Sequence, residues 1–128
     1  MGYAFRFEQP APGGTFSFNN WQMGFVREIM REAGAAAGQG LEPASRTPGL
    51  EPTEQTADME KFLSNGNWHV SAEEAGFIAT RLRLAASKGV VAEVLSFFDD
   101  APDDVRQWVS DFADFNERSV AQDGYRVR

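Results

Sequence analysis

Polar and apolar residues alternate at both ends of this chain and follow a helical repeat between them. Tyr3, Phe5 and Phe7 interleave with Ala4, Arg6 and Glu8, and Phe16 and Phe18 continue the pattern within Thr15–Phe18. A period of two with aromatics on one side is the mark of a half-buried strand. Gln9–Gly14 contains Pro10, Pro12, Gly13 and Gly14, cannot extend a strand, and predicts a hairpin loop. At the far end Tyr125 and Val127 alternate with Arg126 and Arg128. The expectation is a small antiparallel sheet with one aromatic face, formed by the N-terminal hairpin and the C-terminal strand.

Between these strands the period changes to that of a helix. Asn19 or Asn20 suits an N-cap, and Trp21, Phe25, Val26, Ile29, Met30 and Ala33 share one face of a helix that Gly34 ends. A helical turn is expected over Ala57–Leu63, a turn at Ser64-Asn65-Gly66-Asn67 and a short extended piece at Trp68–Val70. Ser71-Ala-Glu-Glu74 is a capping box, and Ala75, Ile78, Ala79, Leu82, Ala85 and Ala86 form the stripe that follows it. Lys88-Gly89 stops that helix. A shorter one follows, with Val90, Val91, Val94, Leu95 and Phe98 spaced for burial. Asp99-Asp100-Ala-Pro-Asp-Asp104 restarts the chain, and the last helix points Val105, Trp108, Val109, Phe112 and Phe115 inward.

The segment 34–56 is rich in Gly, Ala and Pro, and Gly40-Leu-Glu-Pro recurs in it as Gly49-Leu-Glu-Pro. Two copies do not make a repeat architecture. The expectation is one domain over residues 1–128 with a long flexible connection at 34–56, either an insertion or a lid.

Composition narrows the chemistry. The chain has one histidine and no cysteine, so disulfides, thiol nucleophiles and cysteine-based zinc sites are excluded, and any triad would have to use His69. No phosphate-binding loop follows the glycine-rich stretches. No run reaches signal-peptide or membrane-span length, which predicts a soluble cytoplasmic protein without a membrane partner. The net charge is −7, and the aromatics take predicted inward positions, so direct nucleic-acid binding is not expected.

The charge is concentrated. Asp99 to Glu117 holds seven acids and one base. At about 100° per residue, Asp103, Asp104, Asp111, Asp114 and Glu117 form an acidic ridge away from the apolar stripe of the last helix, with Arg118 within its arc. Such a ridge is either a solvated face or a docking surface for a basic protein. A Ca²⁺ or Mg²⁺ site at Asp99, Asp100, Asp103 and Asp104 lacks the required ligand spacing and glycine. A second constellation is Asn20, Asn67 and His69, which could line a polar pocket; the plainer account makes them cap, turn and packing residues. Glu73 and Glu74 lie in a first helical turn, which already accounts for them. Neither a cofactor nor a catalytic residue is expected.

Three stretches together resemble a group of small bacterial and phage proteins with no assigned activity. They are Thr15-Phe-Ser-Phe-Asn-Asn-Trp21, Phe62-Leu-Ser-Asn-Gly-Asn67 with Val70-Ser-Ala-Glu-Glu-Ala75, and Trp108 to Ser119 with Gly124-Tyr-Arg-Val127. One glycine stands at Gln122-Asp123-Gly124 where that group has two. The resemblance implies a fold and a bacterial or phage origin, and transfers no functional residues.

These readings combine into an α+β fold of three to four helices on a small antiparallel sheet. The leading functional expectation is a non-enzymatic, acidic protein-binding factor of inhibitor, immunity or anti-defence type. It would dock a basic partner through the last helix, with exposed aromatics near the ridge as anchors. The alternatives are a ligand-binding domain or enzyme with a pocket near His69, and a structural domain.

Overall fold

The computed structural model of the chain describes residues 2–36, 57, 59–63 and 66–128. Strands β1 (Gly2–Phe7) and β2 (Thr15–Asn19) form the hairpin, and helix α1 (Asn20–Glu32) follows directly. A 3-10 turn at Met59–Phe62 leads to β3 (Trp68–Val70), then α2 (Ala72–Ser87), α3 (Val90–Leu95), α4 (Val105–Ser119) and β4 (Tyr125–Val127). The four strands are antiparallel in the order β2-β1-β4-β3, and four helices pack on the aromatic face. The sheet therefore recruits the internal piece Trp68–Val70 as an edge strand, beyond the two termini expected to form it.

The starts of α1 and α2 follow from their capping residues. Asn19 accepts from the Gln22 amide at 2.8 Å while its own amide donates to the Gln22 side chain, and Ser71 and Glu74 form the same reciprocal pair. Glu74 also takes an ion pair from Lys61 at 2.7 Å, so it both caps and braces the start of α2. Helix α1 ends where the Arg81 Nε–H donates 2.9 Å to the Ala33 carbonyl. Gly34 turns the chain with φ +74°, and a Cβ there would lie 2.8 Å from the Arg81 guanidinium.

The stretch expected as a flexible connection begins differently from that reading. Gly34, Ala35 and Ala36 are buried, Ala36 bridges Ala57, and the Ala57 amide donates to the Ala35 carbonyl at 3.0 Å. Small residues are what such a close backbone approach admits, so the composition that suggests a linker here reflects packing. Residues 37–56, with both Gly-Leu-Glu-Pro copies, and Ser64-Asn65 lie outside the described residues.

The core centres on Phe5. Its ring lies 5.2–6.3 Å from those of Phe16, Phe18, Phe112, Phe115 and Tyr125, in tilted and edge-on arrangements. Fully buried Tyr125 donates 2.7 Å to the Asn116 Oδ1, whose Nδ2 donates in turn 2.8 Å to the Phe112 carbonyl. This satisfies the two polar side chains inside the aromatic layer. Asp123 and Gly124 turn into β4 with φ of +63° and +78°. A Cβ on Gly124 would collide with the Val70 carbonyl.

Burial raises the Tyr125 phenol well above its ordinary value, helped by nearby Glu74 and opposed by the Asn116 hydrogen bond. A raised folded-state pKa gives stability that is complete below the unfolded tyrosine value of about 10 and is lost as pH rises above it. Tyr125→Phe should cost about 1–3 kcal/mol at neutral pH by orphaning the Asn116 acceptor. It should also flatten the alkaline fall in stability; urea melts at neutral pH and above pH 10 check both.

Candidate functional site

Three aromatics that helical spacing assigns to the core lie at the surface instead. Trp21 is 53% exposed, Phe98 is 36% exposed, and Trp108 is only half-buried. Spacing fixes which way a helix face points but not whether another layer covers it. Helix α3 stops at Leu95, so Phe98 and its neighbour Phe97 sit beyond it, and Phe97 is 79% exposed.

These rings assemble around α1. Trp21 and Phe25, one turn apart, meet edge to face at 5.5 Å. Trp108 reaches Trp21 at 5.7 Å from α4, and Phe98 reaches Phe25 at 5.4 Å from the α3–α4 connection. A cleft of about 460 Å³ opens among Asn20, Trp21, Gly24, Phe25, Glu28, Phe98 and Asp100. Gly24 is its notch. Glycine inside a helix costs about 1 kcal/mol relative to alanine, yet a Cβ at Gly24 would meet nothing within 4 Å. Packing does not require that glycine, and it lies in the lining of the cleft.

Carboxylates rim the aromatics. Glu28 and Asp100 line the cleft, and Asp104 and Asp111 stand one turn before and one turn after Trp108 on α4. Among the described residues neither Asp100 nor Asp104 has an ion-pair partner, and Asp104 makes no side-chain cap bond to its helix. Glu28 has a long contact to Arg31 at 3.4 Å, and Asp111 accepts from Gln107 at 2.8 Å.

The acidic ridge is therefore split. Arg83 of α2 donates to Asp114 at 2.7 Å and to Glu117 at 2.5 Å, cancelling much of their field. Its guanidinium is held above its ordinary pKa, chiefly by the Asp114 bond. Asp103 is exposed and lies in the turn before the Asp104 N-cap, off the helix that carries Trp108. Arg118 lies over the Phe115 ring at 5.9 Å rather than among the acids. The half of the ridge free to meet a partner is Asp104 and Asp111, extended by Asp100 and Glu28, two residues the ridge did not include. The missed signal was the helix-internal glycine between two aromatics, Trp21-Gln-Met-Gly24-Phe25.

The polar constellation does not assemble. Asn20 follows β2 and belongs to the aromatic cleft, whereas Asn67 and His69 belong to the opposite sheet edge at β3. Three strand spacings, about 14 Å, separate those edges. His69 Nε2 donates to the Asp123 carbonyl at 2.9 Å, and the Asn67 carbonyl accepts from Arg126 at 3.2 Å with Asn67 at φ +59°. Both are turn and strand-edge residues holding β3 to the Asp123 turn and β4. Among the described residues, no group of three His, Asp or Glu side chains is placed to hold a metal ion, and no helix is long and apolar enough to cross a membrane.

Neither the sequence nor the structure matches a known protein family, a characterised protein or a solved structure.

Gly24→Ala should raise stability by about 0.5–1 kcal/mol, because helix propensity improves and nothing is displaced. Trp21→Ala should change stability by less than about 1 kcal/mol, while Phe112→Ala in the core should cost about 3–5 kcal/mol. Chemical denaturation of the three variants tests whether the cleft is a feature kept at the expense of the helix.

Proposed function

We propose that this protein is a non-enzymatic binding factor that takes an arginine- or lysine-bearing segment of a protein partner into the Trp21–Phe98 cleft. The observation behind this reading is the combination of a helix-internal glycine, exposed aromatic rings and carboxylates around one opening. A guanidinium or ammonium on an aliphatic stem stacks on aromatic faces through its charge and its methylenes, and the rim acids complement it. Exposed tryptophans of this kind are the anchors that dominate protein interfaces. Asp100, Asp104 and Asp111 would steer a basic partner towards the cleft, an effect seen mainly in the association rate. Asp114 and Glu117, bound to Arg83, take little part. An inhibitor, immunity or anti-defence factor is the class of protein that such a surface suits. A pocket enzyme centred on His69 finds no support in the separation of His69 from Asn20.

The test is direct titration with a defined peptide of alternating arginine and leucine, followed by tryptophan fluorescence, beside a peptide with glutamate for arginine. The arginine peptide is expected to bind and the glutamate peptide not to, with affinity falling as salt rises. Gly24→Leu should weaken binding at least about tenfold, a loss of about 1.4 kcal/mol. Joint reversal of Asp100 and Asp104 to Lys should slow association, whereas reversal of Asp114 and Glu117 should matter far less. Equal binding of both peptides, or full binding by Gly24→Leu, would overturn the reading.

A further inference from the structure

The outer face of the sheet, turned away from the helices, has the opposite charge character to the rest of the chain. Strand alternation sends Ala4, Arg6, Thr15, Ser17, His69 and Arg126 to that side. Arg128 continues it past β4, exchanging backbone hydrogen bonds of 2.9 and 2.7 Å with Ala4. In a chain of net charge −7, this face gathers three arginines against one acid, Glu8. Glu8 is already taken. It accepts from the Arg126 Nε at 2.8 Å, and that bond keeps its carboxyl below the usual carboxylate range. Among the described residues Arg6 and Arg128 have no ion-pair partner.

The register sets these groups around a depression. Ala4 pairs with Ser17 on one side and Arg128 on the other, while Arg6, two residues along β1, pairs with Thr15. A small side chain between four larger neighbours leaves a floor, and a cleft of about 280 Å³ opens there among Ala4, Arg6, Thr15, Ser17 and Arg128. Diagonal neighbours across antiparallel strands lie about 7–8 Å apart at Cβ, so the Arg6 and Arg128 guanidiniums can converge on one group above Ala4.

We propose that this cleft binds a phosphate group, as free phosphate or as a phosphate monoester. Two unpaired guanidinium forks match a doubly charged oxyanion in charge, and the Thr15 and Ser17 hydroxyls add donors for its remaining oxygens. A carboxylate carries one charge and two oxygens, and a single arginine fork already satisfies it. The site is separate from the aromatic cleft, and each stands or falls without the other.

Titration of the full chain with inorganic phosphate in a chloride background, read by amide chemical shifts and calorimetry, tests this. Saturable shifts are expected at Ala4, Arg6, Thr15, Ser17 and Arg128. Arg6→Gln or Arg128→Gln should each lower affinity at least about tenfold, in line with loss of a charged hydrogen bond. Ala4→Leu keeps both guanidiniums and fills the floor, and should lower affinity comparably. Phosphoserine as the second probe separates the sources: binding as tight as or tighter than phosphate identifies a monoester, and exclusion of phosphoserine identifies the free ion. Acetate binding as well as phosphate, an unaffected Ala4→Leu variant, or tighter binding of a short deoxythymidine strand would overturn the proposal.

Discussion

The packing of Phe112 and Phe115 from α4 against the aromatic face of the sheet, with Phe5 between them, is the contact on which the rest of the molecule depends. Phe5 lies on a central strand, so the same ring touches β2 through Phe16 and Phe18 and β4 through Tyr125. Apolar burial here draws the two ends of the chain together, because neither the hairpin nor the short C-terminal strand is stable alone. The Tyr125–Asn116–Phe112 hydrogen bonds then fix how α4 lies on that layer, since a rotated helix would strand buried polar groups. Gly124 is needed for the same closure: only a residue without Cβ lets the turn before β4 pass the Val70 carbonyl.

Once α4 is fixed, the two outward faces follow. Helix α1, capped by Asn19 at the end of β2, crosses beside α4 and brings Trp21 against Trp108. The short α3 ends before it can cover them, which leaves the aromatic cleft open beside Asp100 and Asp104. On the other side the pleat of the strands sends Arg6 and Arg126 outward, with Arg128 following past β4. The helical layer thus presents aromatics and acids, and the sheet presents basic groups and hydroxyls. The arginines of the outer sheet face lie on the side away from the aromatic cleft, while Arg27, Arg31, Arg81, Arg83, Arg106 and Arg118 sit on the helices.

Much of the fold was legible in local pattern. The strand alternation in Tyr3–Glu8, the N-cap at Asn19 or Asn20, the capping box at Ser71, and the stops at Gly34 and Gly89 depend on residues within a few positions of one another. Local steric and hydrogen-bonding rules therefore decide them. The candidate sites were legible only in fragments. The acids of the last helix could be read as one ridge, but the pairing of Asp114 and Glu117 with Arg83 joins residues about thirty positions apart in the chain. The placing of Asn20 and His69 on opposite sheet edges depended on β3 joining the far side of β4, a choice that three residues do not announce.

By itself the sequence determined the secondary elements, the aromatic inner face, the absence of thiol chemistry and the excess of acid near the last helix. These are set by residue identity and short-range periodicity. The tertiary structure alone decided which acids remain free, which aromatics remain uncovered, and that Arg6 and Arg128 flank one cleft over Ala4. The reason is physical. Exposure and charge pairing are properties of what stands opposite a side chain, and that neighbour is supplied by strand order and helix length elsewhere in the chain.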